Sequence, residues 1–307
     1  MVISEILFNI VGLLIISISL FAQSNLSANI NSEKDDDKDS TSLTLVIRSE
    51  HIAFNVEDPI AQAKWFVDNM EFKIMFKGDP PNNARFVINT GEDFMIELYN
   101  NKEYPKIDLQ KISHMAIHIA FMVDSMEAVK QKLLSAGATI VEDITKIPSG
   151  DLILMMRNPW GLPIQFVQRA NPMLKYSPFR PEHFTMNIPD PVRKAKWLAD
   201  NLGMKIIRQG GAPTFTTFIA DKNENTLLEL FYNENYPLMD FKNTSYMALH
   251  YAFSTNNMEA VKSKLISAGA SVIDDLKTVA NGTQVFVLRD PFDQPLQFVK
   301  RTEPMLK

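Results

Sequence analysis

The 307-residue chain is predicted to have an α+β fold, made of four βαβββ units arranged in two tandem modules. Three observations predict this fold. They are a long internal repeat of constant spacing, a shorter repeat within each copy, and the same order of strand and helix patterns in every unit. Self-similarity at a fixed period indicates an architecture assembled from equivalent structural units.

The long repeat has an offset of 132 residues, which relates Glu50-His51 to Glu182-His183. The same offset relates segment 126–130 to 258–262 and segment 172–175 to 304–307, so no net insertion separates the copies. The two modules are therefore predicted to span residues 49–175 and 181–307, with a short connection over 176–180 between them.

Each module also divides into two similar halves. His51 and His118 stand 67 residues apart in matching surroundings, and the spacing recurs in the second module. The ends of the halves match as well, because Glu97 and Gln165 are 68 residues apart. The chain is thus predicted to contain four copies of one unit of roughly 65 residues.

The first unit shows the pattern that all four share. Over residues 50–56 apolar side chains alternate with His51 and other small or polar residues, which predicts a half-buried strand with the histidine on its more polar face. Asp58-Pro59 predicts a helix start, with the aspartate as cap and the proline in the first turn. Three strand-like runs follow, over 72–76, 85–89 and 94–99.

The N-terminus differs from the rest of the chain. Residues 6–21 are nearly all apolar and are followed by small residues that could be cleaved. We expect residues 1–22 to be a signal peptide or a membrane anchor, and the protein to be exported to the periplasm or the cell exterior. Residues 23–48 are polar and are predicted to be a disordered linker. Any membrane contact is expected only through an uncleaved N-terminal segment.

Composition restricts the partners and the chemistry. The net charge is −5 and no run of Lys or Arg resembles a nucleic-acid footprint, so a small-molecule substrate is expected and nucleic acid is not. The chain has no cysteine. Any metal site must therefore be built from histidine, carboxylate, amide and water ligands.

The ordered motifs resemble the vicinal oxygen chelate superfamily, which includes glyoxalase I, extradiol dioxygenases, fosfomycin-resistance enzymes and bleomycin-binding proteins. The resemblance covers residues 49–307. It implies that paired βαβββ units form a cupped sheet around a metal, with ligands from the first and last strands of each unit. The matching segments in the first module are 51–58, 95–100, 118–124, 135–138 and 158–166.

Carried over residue by residue, the resemblance implies one divalent-metal site in each module, for Fe, Zn, Ni, Mn or Co. Four of the five histidines of the chain occupy ligand positions, and such groups would be costly to bury in an apolar cup without a cation. An exchange of ligands between the modules stays open. The ligand positions are His51, Glu97, His118 and Gln165 in the first module and His183, Glu229, His250 and Gln297 in the second.

Several reactions are compatible with this ligand set. Glu97 and Glu229 are the candidate catalytic bases of a glyoxalase-like lyase or isomerase, in which a carboxylate moves a substrate proton. Gln165 and Gln297 stand where a second carboxylate would be expected, which weakens that interpretation. Two histidines and one carboxylate also form the facial ligand set of non-haem iron dioxygenases.

A third possibility is a non-catalytic protein that sequesters a small molecule, as bleomycin-binding relatives do with an antibiotic. In all three cases the cup is expected to hold a small oxygenated ligand. The candidate substrate-binding residues are Tyr99, which follows the Glu97 strand position, and Asn55 and Asn187, which share the histidine face of their strands.

Overall fold

The computed structural model of the chain describes residues 45–306. The predicted export segment and the linker up to residue 44 lie outside the described residues. The first strand begins at Ile47, two residues before the predicted start of the first module. Within residues 45–306 no helix is long and apolar enough to cross a membrane.

All four units have the predicted βαβββ order. Unit 1 comprises β1 (Ile47–Asn55), α1 (Pro59–Met70), β2 (Lys73–Lys77), β3 (Arg85–Ile88) and β4 (Met95–Tyr99). Unit 2 comprises β5 (Ile117–Met122), α2 (Met126–Ser135), β6 (Thr139–Lys146), β7 (Leu152–Arg157) and β8 (Pro163–Gln168). Unit 3 comprises β9 (Pro181–Asn187), α3 (Pro191–Leu202), β10 (Lys205–Gln209), β11 (Thr217–Ala220) and β12 (Leu227–Phe231). Unit 4 comprises β13 (Leu249–Thr255), α4 (Met258–Ser267), β14 (Ser271–Thr278), β15 (Gln284–Arg289) and β16 (Pro295–Lys300).

The helices begin where the sequence places their caps. The Asp58 carboxylate accepts a hydrogen bond from the Ala61 amide at 2.9 Å, and a proline occupies the first turn of α1. Asp190 caps α3 in the same way, through the Arg193 amide at 3.1 Å. These bonds satisfy amide groups that the first turn of a helix leaves unpaired, so the predicted helix starts are confirmed.

The first strands show the predicted alternation. Ile52 and Phe54 are fully buried in the main hydrophobic core, against the helices. His51, one position away, lies on the opposite face of β1 because successive side chains of a strand point to opposite sides. The same alternation in β5, β9 and β13 turns every histidine of the ligand set toward the concave face of its sheet.

The strands form two eight-stranded sheets, and each sheet combines units from different modules. One sheet has the order β14-β15-β16-β13-β1-β4-β3-β2, which joins units 1 and 4. The other has the order β10-β11-β12-β9-β5-β8-β7-β6, which joins units 2 and 3. Of the two groupings that the sequence left open, the sheets therefore show the exchange of units between the sequence modules. The units meet through antiparallel pairing of β1 with β13 and of β5 with β9.

The two units of a sequence module still contact each other, but through their helices. The Trp65 indole of α1 donates to the Ala136 carbonyl at the end of α2, at 2.9 Å. Trp197 of α3 donates to the Ala268 carbonyl after α4 at the same distance. Helices and sheet faces of all four units bury one shared apolar core. The two units within each sequence module are thus joined on the helical side, opposite the cups.

A buried ion pair joins units 3 and 4. The Lys194 ammonium of α3 lies 2.7 Å from the Asp290 carboxylate, and both side chains are fully buried. The other oxygen of Asp290 accepts from the Gln294 amide at 2.9 Å, which shapes the turn between β15 and β16. The equivalent positions of the first module hold two neutral amide side chains, Gln62 and Asn158.

We predict that Lys194→Gln alone lowers the free energy of unfolding by about 3–5 kcal/mol, because it leaves the Asp290 carboxylate buried without its cation. Adding Asp290→Asn recreates the pair of the first module and should restore most of that loss. Urea unfolding followed by circular dichroism measures both effects. Lys196→Gln, at an exposed position of α3, is the control and should change little. A double variant no more stable than Lys194→Gln would contradict the prediction.

Candidate metal centres

The structure brings the predicted histidines and glutamates together in two clusters, one on the concave face of each sheet. Site 1 is defined by His51, Glu97 and His250, and site 2 by His118, His183 and Glu229. In each cluster the nearest nitrogen and oxygen atoms all lie within 4.8 Å of one another. The exchange between modules that the sequence left open is what the structure shows, because His118 and His250 each lie with ligand candidates of the other module.

Strand register explains this convergence. In site 1, Ala53 of β1 pairs with Glu97 of β4 on one side and with His250 of β13 on the other. His51 lies two residues before Ala53 and therefore shares its face. In site 2, Thr185 of β9 holds the position of Ala53, between Glu229 and His118. A neighbouring parallel strand and a neighbouring antiparallel strand thus each deliver one ligand beside the central histidine.

Site 1 is compact and nearly closed to solvent. The His51 Nε2 atom lies 3.2 Å from Glu97 Oε2, and His250 Nε2 lies 3.9 Å from the same oxygen. The His51 and His250 rings approach edge to face, with centroids 5.7 Å apart. The His250 Nδ1–H group donates to the Tyr246 carbonyl at 2.8 Å, which orients its Nε2 toward Glu97.

Site 2 repeats this arrangement. His183 Nε2 lies 3.3 Å from Glu229 Oε2, and the His118 and His183 rings are again 5.7 Å apart. The His118 Nδ1–H group donates to the His114 carbonyl at 2.7 Å. One contact is new: the Thr185 hydroxyl lies 2.6 Å from Glu229 Oε2 and 2.9 Å from His118 Nε2.

A carboxylate behind the central histidine was missed by the sequence analysis. Glu50 accepts from His51 Nδ1 at 2.7 Å and is held in turn by the Arg301 guanidinium at 2.7 Å. A β-bulge between Ser49 and His51 re-aims Glu50 so that two consecutive side chains can meet. The signal was present in the sequence, because a glutamate precedes the histidine in both copies.

Site 2 has the same support. Glu182 contacts His183 Nδ1 at 2.8 Å and forms a salt bridge of 2.6 Å with Arg169, which also contacts Asp151 at 3.0 Å. The register shift between β5 and β9 falls at Glu182, as it does at Glu50 in the other sheet. A carboxylate that holds one nitrogen of a histidine fixes the ring and makes the other nitrogen a better ligand.

The carboxylates of the sites stay ionised at neutral pH. Burial raises the pKa of Glu229, but the charge of the His183 imidazole and its close contact with the carboxylate outweigh burial and lower the pKa to about 2. Burial also raises the pKa of Glu97, and His51 lowers it below its usual value by the same two effects. Both side chains therefore present full negative charge to their cups.

The histidines fall into two classes. Burial and the neighbouring His183 lower the pKa of His118 to about 4, and burial lowers the pKa of His250 to about 4 as well. For His51 and His183, burial also lowers the pKa, but the two glutamates beside each ring outweigh it and raise the pKa above its usual value. His118 and His250 are thus neutral at pH 7, each with an Nε2 lone pair facing the site.

The residues present fit a divalent cation. Among the described residues, the Nε2 atoms of His51, His183 and His250 are buried, and their contacts of 3.2, 3.3 and 3.9 Å with a glutamate oxygen do not have hydrogen-bond geometry. Leaving a buried polar atom unsatisfied is costly, and a cation between these nitrogens and the glutamate would remove that cost. Imidazole nitrogen with carboxylate oxygen is a donor set that suits Zn, Fe, Ni, Co and Mn.

The two predicted glutamine ligands lie on the same concave faces. Gln165 lines the cavity beside His118 and Glu229. Gln297 is adjacent to His250 and favours the charged form of that ring. Both amides pair in register with a small residue of the central strands, since Gln165 lies opposite Ala120 and Gln297 opposite Ala252.

Site 2 opens into a cavity of about 620 Å³. Its wall includes Glu142, Phe231 and Tyr236, none of which the sequence analysis assigned to the cup. The Glu142 carboxylate lies 3.0 Å from His114 Nε2, within hydrogen-bond distance. Glu142 and Tyr236 were missed because they come from an outer strand and a loop, whose position relative to the cup depends on the tertiary fold. Phe231 lies two residues after Glu229 on β12, at the position equivalent to Tyr99.

The predicted substrate-binding residues have structural partners. The Asn55 amide donates to the Asn101 carbonyl at 2.9 Å and accepts from the Asn101 amide at 2.8 Å, and Asn187 makes the equivalent bonds with Asn233. Both side chains are fully buried, so they hold the loop after the glutamate strand. The Tyr99 hydroxyl is buried too, and donates to the Met247 carbonyl at 2.6 Å. Their polar groups are thus paired within the fold, and substrate contact by these three residues stays a prediction.

The family model described as the Glyoxalase/Bleomycin resistance protein/Dioxygenase superfamily matches residues 48–166 and 180–298. The chain belongs to this superfamily. The two matches coincide with the two sequence modules and include every residue of both sites. The resemblance found from the motifs is therefore confirmed, as is the α+β fold of paired βαβββ units. No curated protein matches the chain in sequence.

Members of the superfamily with solved structures share this fold over most of the chain. Glyoxalase I from Zea mays superposes with a TM-score of 0.67 and 22% sequence identity, over 83% of this chain and 93% of that chain. A Bacillus subtilis protein with a provisional assignment as a dioxygenase has a TM-score of 0.60 and 12% identity, over 84% and 86% of the two chains. At such identities the likeness establishes the fold alone.

Proposed function

We propose that the protein is a metal-dependent enzyme that acts on a small oxygenated substrate, by glyoxalase-like lyase or isomerase chemistry or by extradiol-type dioxygenase chemistry. The observation that carries the proposal is the set of buried Nε2 atoms without a hydrogen-bond partner, each turned toward an ionised glutamate. Site 1 would hold the ion through His51, Glu97 and His250, and site 2 through His118, His183 and Glu229.

A bound divalent ion would polarise a carbonyl or hydroxyl oxygen of the substrate. The chain itself supplies the groups that move a proton. Glu229 lines the cavity and is ionised, so it can accept a substrate proton, and Glu97 has the same position in site 1. Gln165 can donate a hydrogen bond to the substrate or accept one, but it cannot take a proton.

The wall of the site 2 cavity favours a substrate without several negative charges. Arg169 is the only Lys or Arg among the described residues that line it, and its guanidinium is already paired with Glu182 and Asp151. Glu142 and Glu234 add negative charge to the same wall. A glutathione conjugate, which carries two carboxylates, would find no free cation there. We therefore infer a neutral oxygenated substrate.

A second candidate function is sequestration of a small molecule without catalysis. The cavity volume of about 620 Å³ supports it, because pockets that enclose drug-sized ligands have similar volumes. This alternative differs from the enzyme in one measurable respect, since it requires neither a bound metal nor turnover.

We predict that the purified folded body, reconstituted with Zn²⁺, binds two ions per chain. His118→Ala and His250→Ala should each reduce this to one ion. Because the ligands come from different modules, His118→Ala combined with Glu229→Ala should still bind one ion, whereas His118→Ala combined with Glu97→Ala should bind none. Elemental analysis after gel filtration gives the stoichiometry.

His114→Ala is the matched control for these variants. It removes an imidazole near site 2 but keeps the carbonyl that orients His118, so two ions should remain. If the wild-type protein binds none of Zn²⁺, Fe²⁺, Ni²⁺, Co²⁺ and Mn²⁺, the metal proposal is wrong, and non-catalytic sequestration of a small molecule is the remaining function.

The reaction class is predicted to follow from the loaded ion and substrate. A dioxygenase should consume oxygen with catechols when loaded with Fe²⁺, and a glyoxalase-like isomerase should convert hemithioacetals without oxygen when loaded with Zn²⁺ or Ni²⁺. An oxygen electrode and an absorbance assay separate the two. In either case Glu97→Gln combined with Glu229→Gln should reduce kcat at least 100-fold, roughly the effect of losing a general base. Full activity in that variant would contradict the assigned role.

We also propose that the protein is exported. The support is the apolar segment 6–21, followed by a polar stretch that separates it from the folded body. The full chain produced in a bacterium should be recovered in the periplasmic, membrane or secreted fraction, and a chain starting at residue 23 should stay in the cytoplasm. Equal distribution of both chains would contradict export.

A further inference from the structure

The two sites differ at one position that lies directly between ligands. In each central strand a small residue pairs in register with ligand positions on the neighbouring strands. Three of these four residues are alanine and one is threonine. They are Ala53 between Glu97 and His250, Ala252 between Gln297 and His51, Ala120 between Gln165 and His183, and Thr185 between Glu229 and His118.

The hydroxyl of Thr185 occupies the space between two ligand atoms. It lies 2.6 Å from Glu229 Oε2 and 2.9 Å from His118 Nε2. In site 1 the equivalent residue is Ala53, and His250 Nε2 is accordingly left without a hydrogen-bond partner. The Thr185 oxygen therefore stands in front of this nitrogen in site 2, whereas the alanine side chain has no polar atom at the equivalent place in site 1.

The tautomer of His118 decides what this contact means. The His118 Nδ1 atom bonds to the His114 carbonyl at 2.7 Å, and a carbonyl can only accept, so Nδ1 carries the hydrogen. In the neutral ring Nε2 is then an acceptor, and its lone pair faces the Thr185 oxygen, whose single hydrogen is donated to Glu229. That lone pair is the one a cation would use.

A divalent ion binds imidazole nitrogen and carboxylate oxygen at about 2.0–2.2 Å, so it needs the space that the hydroxyl now takes. Thr185 is fully buried, and a β-branched side chain has few alternative rotamers. Loading site 2 therefore requires the loss of a hydrogen bond to a charged carboxylate, a cost that site 1 does not have.

We propose that Thr185 makes site 2 the weaker metal site, so that the chain loads in order, site 1 before site 2. This inference rests on the proposed metal function and adds to it that the two cups are not equivalent. At limiting metal the protein would carry one ion, held by His51, Glu97 and His250.

The experiment measures each site alone. His250→Ala leaves site 2 and His183→Ala leaves site 1, and the affinity of each for Co²⁺ is determined by competition with a chelator and by the absorbance of the bound ion. Site 1 should bind at least about tenfold more tightly, the effect expected for one hydrogen bond to a charged group. Thr185→Ala in the His250→Ala background should remove most of that difference.

The reciprocal change and a conservative control complete the design. Ala53→Thr in the His183→Ala background should weaken site 1 by a similar factor, and Ala53→Ser serves where the larger side chain prevents folding. Thr185→Ser keeps the hydroxyl and should keep site 2 weak.

Equal affinities of the two sites, or weaker binding after Thr185→Ala, would overturn the inference while leaving the metal function intact. The second result would mean that the hydroxyl is itself a ligand. No Co²⁺ binding at either site would overturn the metal function and this inference with it.

Discussion

The antiparallel pairing of β1 with β13, and of β5 with β9, is the constraint on which the rest of the structure depends. Ile47 of β1 lies opposite Thr255 of β13, so the contact joins distant parts of the sequence. This pairing brings a histidine from each of two units to one concave face. Because such non-local contacts carry the largest loop-closure cost, neither cup can form before both sequence modules are in place.

Once the sheets have formed, the polar side chains in each cup form a series of hydrogen bonds and ion pairs. In site 1, Arg301 holds Glu50, Glu50 holds His51, and His51 approaches Glu97. A buried polar network stabilises a fold only when its members are satisfied. The buried atoms without a hydrogen-bond partner include three histidine Nε2 atoms of the two cups, where a ligand would enter. The bulge at Glu50 is thus part of the site and not a defect of the strand.

The fourfold repeat is preserved in the backbone but not in every side chain. Lys194 and Asp290 form an ion pair where the first module has two amides, and Thr185 replaces an alanine between two ligands. These changes lie at buried positions, where a single polar substitution has large consequences. Two cups of the same ancestry can therefore differ in metal affinity while their ligands remain identical in type.

The sequence by itself determined the units, their helix caps, the face of each strand and all six histidine and glutamate positions of the sites, because strand periodicity and capping are local properties. Only the tertiary structure decided which units share a cup. His118 and His250 begin strands of the same pattern, so both pairings satisfy the local sequence equally well, and long-range packing chooses between them. The roles of Asn55 and Thr185 were undecided for the same reason, since each depends on the segment that the fold places beside it.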